Sequence, residues 1–251
     1  MNARHGNVCS KNLHHDVSTA SVPSEATGEG MKDDLSVFTT VLCDLDGTLI
    51  DSRRDIAEAF QHAVRMLTGD SPPAASITQH IGKPLEQMLQ ELGYALPPDQ
   101  LSTFLTAYRS HYAAHGVTHT LPFPQVTTTL QTLATTTFGV VTTKEQGQAE
   151  VVLQRLHLTR FFRHIQGWRP GLRLKPAPDT LLATLEALHC PSEQTLMVGD
   201  TPADVLAGKA AGIKTCAVTY GYSTVVELRQ CKPDYFMAAF GELLTLVPGP
   251  S

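Results

Sequence analysis

An α/β fold with a mainly parallel sheet, interrupted by an all-helical insert, is what this sequence of 251 residues predicts. Two observations carry the prediction. From Ser36 onward, short and nearly continuous apolar runs alternate with stretches of helical periodicity, the pattern of strands covered on both faces and joined by helices. Between about residues 52 and 136 that alternation stops, and only apolar spacings of three and four persist. With 42% hydrophobic residues the chain is ample for a buried core.

Residues 1–36 are rich in Ser, Thr, Gly, Asn and His and hold few large apolar groups, so a disordered extension is expected there, with Met31 as an alternative start. Val37–Leu45 reads as the first strand. The insert follows over 52–136. Ile56, Ala59, Phe60, Ala63, Val64 and Leu67 mark one helix, Leu85, Met88, Leu89 and Leu92 a second, and Leu101, Phe104, Leu105, Tyr108 and Tyr112 a third. Pro84 and Pro98 stand near helix starts, and Gly69, Gly82 and Gly93 near helix ends. The core, 37–51 and 137–251, resumes with strands at Phe138–Thr142, Phe161–Gln166, Thr195–Gly199, Ile213–Val218 and Tyr235–Met237. Helices are expected at about 145–157, 178–189, 203–211 and 240–247, with Pro178 at a first helical position and Gly212 as a stop.

Composition narrows the function classes. The formal charge of −5 arises from 24 acids and 19 bases without a clustered basic stripe, which argues against nucleic acid and anionic membrane surfaces as partners. No apolar run approaches the roughly 20 residues that span a bilayer, and no secretory signal is evident. Cys9, Cys43, Cys190, Cys216 and Cys231 form an odd set without metal-site spacing, as expected of reduced thiols in the cytoplasm. Monomer and homodimer stay equally open.

Ligands of open parallel sheets bind at the carboxyl ends of strands, and four such ends carry reactive groups. The first is Asp44-Leu45-Asp46-Gly47-Thr48, where a continuing strand would put both carboxylates on one face, suited to a divalent cation, nucleophilic attack and proton transfer. Alone, Asp46-Gly47 is an ordinary turn. The second is Thr142-Thr143, whose hydroxyls and backbone N–H groups suit phosphate oxygens, although threonine at a strand end is also simply good β chemistry. Third comes Lys175 in Lys175-Pro176-Ala177-Pro178, otherwise a solvated lysine. The fourth is Gly199-Asp200-Thr201-Pro202-Ala203-Asp204, whose carboxylates would equally serve as helix caps.

Taken in order, these four segments resemble the four motifs of the haloacid dehalogenase superfamily, and the stretches around Tyr220 and Pro233-Asp234-Tyr235-Phe236 resemble the tail of its phosphoglycolate-phosphatase-like members. The resemblance implies a Rossmann-like three-layer core with an inserted helical cap, and a phosphatase acting on a small phosphorylated metabolite. It implies Asp44 as the nucleophile that forms an aspartyl-phosphate, and Asp46 as proton donor and then base. Thr142 and Lys175 would steady the transferring phosphoryl group, with Asp204 orienting Lys175 or supporting the metal shell. Mg²⁺ is implied on Asp44, Asp200 and the backbone carbonyl of Asp46. Thr48, Thr143 and Lys83 are the expected substrate contacts. Lys83 reads equally as a solvated lysine at a helix start, and Arg109 is a weaker candidate.

About 98 residues separate Asp44 from Thr142 and only about 33 separate Thr142 from Lys175, so the insert is of the kind that follows the first motif. Thr143 stands where members of that branch usually carry Asn, which leaves the subfamily open. A sugar phosphomutase using the same Asp44 intermediate and a non-catalytic binding protein of the same fold are the alternatives. The four carboxylates Asp44, Asp46, Asp200 and Asp204 speak against the second. His111, His115 and His119 share a four-residue spacing, but Gly116 interrupts their helix and no metal site is expected there.

Overall fold

The computed structural model of the protein describes residues 38–247, so the expectations for residues 1–36 and for Met31 lie outside the described residues. The chain opens with β1 (Thr40–Cys43) and β2 (Ile50–Asp51). It then runs through α1 (Arg53–Thr68), α2 (Ala74–Thr78), α3 (Leu85–Glu91) and α4 (Pro98–His115), and returns by β3 (Leu121–Pro122) and α5 (Val126–Thr132). The core continues as β4 (Thr137–Glu145), α6 (Gln146–Arg155), β5 (His164–Trp168), α7 (Asp179–Leu188), β6 (Thr195–Gly199) and α8 (Pro202–Ala210). It closes with β7 (Lys214–Val218), α9 (Val225–Gln230), β8 (Tyr235–Met237) and α10 (Leu243–Leu246).

Six strands form one sheet in the order β5-β4-β1-β6-β7-β8, and every pairing is parallel. Alternation along the strands creates two buried faces. Leu42, Val141 and Met197 point to the face covered by Leu181 and Leu185 of α7 and Ala207 of α8. Val41, Cys43, Val140 and Val198 point to the other, against Val126 and Leu130 of α5, Val152 and Leu153 of α6, and Leu243 of α10. Because both faces are covered, the strands are apolar throughout, which is what made them legible as runs. The result is the expected three-layer α/β core with β1 at its centre.

In the insert, α1 packs on α4 through Phe60 and Phe104, whose rings meet edge-on at 5.1 Å. Such a pair is worth about 0.5–1.5 kcal/mol beyond the area it buries. The chain enters and leaves this region through neighbouring strands: β2 pairs antiparallel with β3, Ile50 opposite Pro122 and Asp51 opposite Leu121. Asp55, in the first turn of α1, closes the same point. Its buried carboxylate accepts hydrogen bonds from the backbone N–H of His119 and Thr120 and, at 2.6 Å, from the Thr120 hydroxyl.

Several boundaries differ from the sequence reading. The strand expected at Phe161–Gln166 starts later, since Thr159–Phe161 is a 3-10 turn and β5 begins at His164. The apolar Phe162 serves packing there, its ring meeting Phe138 edge-on at 6.5 Å. Pro178 precedes α7, as its cap, and the final helix divides into a 3-10 turn, Phe240–Glu242, and α10. The two-residue strand β3 within the insert, the short α2 and the short α9 carried no periodicity long enough to mark them.

Candidate active site

The strand does not continue through the first motif as expected. β1 ends at Cys43, Asp44 extends the pairing by one bond from its N–H to the carbonyl of Val198 (2.9 Å), and the chain then turns. The Leu45 carbonyl accepts from the N–H groups of Thr48, Leu49 and Ile50 and closes that turn. Asp44 and Asp46 therefore face different partners rather than sharing one face of a strand.

Asp44 points at Lys175. The Lys175 ammonium, almost wholly buried, donates to Asp44 Oδ1 (2.8 Å), Asp204 Oδ1 (2.5 Å) and the Val141 carbonyl (2.9 Å), which uses all three of its protons. Burial works against the ammonium, yet Asp204 and Asp44 outweigh it and its pKa rises above the ordinary lysine value. Asp204 also fulfils the plainer reading made of it. It is the third residue of a capping box on α8, its Oδ2 accepting from the Thr201 hydroxyl (2.6 Å) and N–H (3.0 Å). A helix cap thus fixes one carboxylate oxygen while the other holds Lys175.

Asp200 is fully buried, with Oδ1 accepting from the Thr48 hydroxyl (3.1 Å) and Oδ2 from the Tyr222 N–H (2.8 Å). Two glycines make room for it. Gly47 has φ +91°, and a Cβ there would lie 2.2 Å from Asp200 Oδ2, while a Cβ on Gly221 would lie 2.2 Å from Asp200 Cβ. Thr48, expected at the substrate, spends its hydroxyl on orienting Asp200.

Asp44, Asp200 and Asp204 each bring an oxygen within 4.8 Å of the others, and among the described residues only the Lys175 ammonium pairs with them. Burial pushes the Asp44 carboxyl up to about 7 against the pull of Lys175. Burial, and then the charges of Asp44 and Asp204, hold Asp200 well above the usual carboxylate range. Buried like charges in this arrangement call for a further cation. Hard oxygen donors, one fixed by a helix cap and another seated by two glycines, fit a small divalent ion such as Mg²⁺. The Asp46 carboxylate is outside this cluster. It lies between Ser52 Oγ, which donates to Oδ1 at 2.5 Å, and Lys144 Nζ, 3.1 Å from Oδ2.

Thr142 is buried and accepts from the Lys144 N–H at 3.2 Å, and Thr143 donates to the Gly82 carbonyl (3.3 Å) on the insert side. Gly82, Lys83, Arg109, Thr143 and Asp46 line one cavity of about 160 Å³ between insert and core. Lys83 is engaged by Glu91, whereas no carboxylate pairs with Arg109 among the described residues. Arg173 is taken up by Asp179 at the start of α7 (2.9 Å), and burial pushes the Cys43 thiol well above its ordinary value.

Lys144, Ser52, Tyr112 and Tyr222 escaped the sequence reading. Tyr222 holds Asp200 through its N–H and receives the Ser52 N–H on its hydroxyl at 2.9 Å, which ties the loop after β7 to the start of the insert. Lys144 alone carried a signal. It lies two residues beyond Thr142, a charge following the apolar run Phe138–Val141.

Residues 41–218 match the family model of haloacid dehalogenase-like hydrolases. A phosphoglycolate phosphatase of Aquifex aeolicus is 34% identical over 209 residues, which cover 82% of this chain and 95% of that protein. The pyrophosphatase PpaX of Halalkalibacterium halodurans is 33% identical over 212 residues, 84% of this chain and 97% of that one. A haloacid dehalogenase-like family hydrolase from Streptococcus pneumoniae has a similar solved structure, with TM-score 0.76 and 32% identity over 84% of this chain and 98% of its own.

Proposed function

The chain belongs to the haloacid dehalogenase-like hydrolases and is a phosphatase of that family, and from this premise we propose that it hydrolyses a small phosphorylated metabolite through an aspartyl-phosphate on Asp44. One observation carries the reading: Asp44 stands beside Lys175, Asp200 and Asp204, which supply a phosphoryl-binding ammonium and a carboxylate pocket for a divalent ion. Mg²⁺, when held by Asp44, Asp200 and the Asp46 backbone carbonyl, supplies positive charge beside the transferring phosphoryl oxygens.

A carboxylate oxygen of Asp44 attacks phosphorus as the bond to the leaving oxygen breaks, and Asp46 gives that oxygen its proton. The Asp46 carboxylate then takes a proton from water, whose oxygen attacks the same phosphorus. Phosphate leaves and Asp44 is restored. Lys175, fixed by Asp204, neutralises charge that develops on the phosphoryl oxygens, and the Thr142 hydroxyl and nearby N–H groups bind them. The lid formed by the insert excludes water from the first step.

The cavity of about 160 Å³ favours a small leaving group, and Arg109 on its wall favours one with a second acidic group. Phosphoglycolate and pyrophosphate, named for the two relatives, are both of that kind. A cytoplasmic location accords with the free thiols Cys43, Cys190, Cys216 and Cys231, and no described helix is long and apolar enough to cross a membrane. The test is phosphate release from a metabolite panel with Mg²⁺, alongside rapid-quench detection of phosphoprotein. Phosphoprotein that persists in Asp44→Asn would sink the assignment.

A further inference from the structure

We infer that Lys144 is a positioning residue that clamps the Asp46 carboxylate in its proton-donating orientation and is itself held by Tyr112 of the helical insert. The inference rests on the phosphatase reading, in which Asp46 is the proton donor.

Lys144 is a buried cation, its side chain 4% exposed. Burying an ammonium is unfavourable unless it is paired, and Lys144 has its pair in Asp46 Oδ2 at 3.1 Å. Its remaining contacts come from α4: the Tyr112 hydroxyl at 3.1 Å and the Tyr112 ring, with Nζ 4.3 Å from the centroid. The other oxygen of Asp46 is taken by Ser52. Each carboxylate oxygen is thus held from a different element, so a rotation of the group breaks both contacts.

The backbone is shaped for this. β4 and β5 keep register up to Val141 opposite Gln166 and regain it at Glu145 opposite Trp168. Thr142, Thr143 and Lys144 therefore bulge against the single residue Gly167. Bulges re-aim side chains, and this one turns Lys144 toward Asp46. Gly167 is what permits it, since a Cβ there would lie 2.6 Å from Gln146 Cα and 2.9 Å from the Lys144 carbonyl. Asp46 and Lys144 both line the cavity that receives the leaving group. Since Tyr112 belongs to the insert, the same contact makes the angle of the acid depend on where the lid sits.

Orientation of a proton donor is read by leaving-group dependence. Phenyl phosphate releases an oxygen with tyrosine-like basicity, a pKa of about 10, and needs the proton, whereas 4-nitrophenyl phosphate barely does. Comparing kcat/KM for the two esters on the full chain with Mg²⁺ isolates the first chemical step. General acid catalysis is worth about 10²–10⁴-fold, so Lys144→Met is expected to lose about 10- to 100-fold on phenyl phosphate and under about threefold on 4-nitrophenyl phosphate. Lys144→Arg should recover part of the loss. Tyr112→Phe keeps the ring and removes the hydroxyl, and should lose about three- to tenfold on phenyl phosphate alone. It carries the test if circular dichroism shows Lys144→Met unfolded. Equal losses on both esters, or none, overturn the inference while the phosphatase reading stands. If the wild type releases phosphate from neither ester nor from any member of the metabolite panel, both fall.

Discussion

The core half of the site and the insert half meet at one cavity but are built differently. On the core side, Asp44 and Asp200 at strand ends, Lys175 in the loop before α7 and Asp204 in the first turn of α8 are all buried, and all three protons of Lys175 have acceptors. On the insert side, Lys83 is engaged by a neighbouring glutamate and Arg109 is exposed on a helix without a carboxylate partner among the described residues. Groups that must meet a transition state are held rigidly, because a misplaced donor or charge forfeits its effect. Groups that select a substrate tolerate solvent and movement. Changes in the core half should therefore disturb chemistry, and folding as well where they strand a buried charge, while changes in the insert half, the Tyr112 contact to Lys144 apart, should disturb only recognition.

The sharpest separation comes from Asp44→Asn, which should lower kcat by on the order of 10⁴ or more in steady-state phosphate release. It removes one of three crowded carboxylates, so metal-free stability should not fall. Lys175→Met should instead destabilise the metal-free protein by about 3–5 kcal/mol in urea titration, since it strands Asp44 and Asp204 as unpaired buried charges. A loss below about 1 kcal/mol would show that the core half is not built as described. Arg109→Ala is the counterpart in the insert. It should raise KM about tenfold for a substrate with a second acidic group, leave kcat alone and move stability by no more than about 0.5 kcal/mol.

The smallest effect is one of pH. Burial raises the Asp44 pKa from the ordinary 3.8 to about 7 in the folded protein, so the stability it contributes is fully present below about pH 4 and is lost as pH rises to about 7. Without metal, the melting temperature of the wild type should decline relative to Asp44→Asn across that window, by a few degrees, and stay level above it. Mg²⁺ binds the ionised form, so its stabilising effect should grow over the same range. A magnesium effect independent of pH would place the ion away from Asp44.

How much of this was legible in the sequence follows the same division. β1, β4, β6 and β7 are covered on both faces, so they appeared as apolar runs, and their reactive ends came into view with them. The Phe161–Phe162 run misled because apolar side chains pack equally well from a 3-10 turn. β2 and β3 span two residues each, too few for any period to register. Lys144 was missed because a lone lysine reads as solvated. Only the bulge at 142–144 and Tyr112, brought in from about 32 positions away, reveal its buried partners. The family resemblance puts Thr48 at the substrate, whereas the fold supplies Asp200 as the acceptor of its hydroxyl.

The ribbon of β2 and β3 has a consequence of its own. Ile50 and Pro122, and Asp51 and Leu121, sit side by side at the spacing of paired strands, about 4.8 Å. Everything between them is, topologically, an oversized hairpin loop spliced into the core without rethreading a single sheet strand. A lid of other length or sequence need only match two strand positions, the Asp55 clasp and the Tyr112 contact to Lys144. Selectivity is thereby interchangeable as a module, while the catalytic floor beneath it is left untouched.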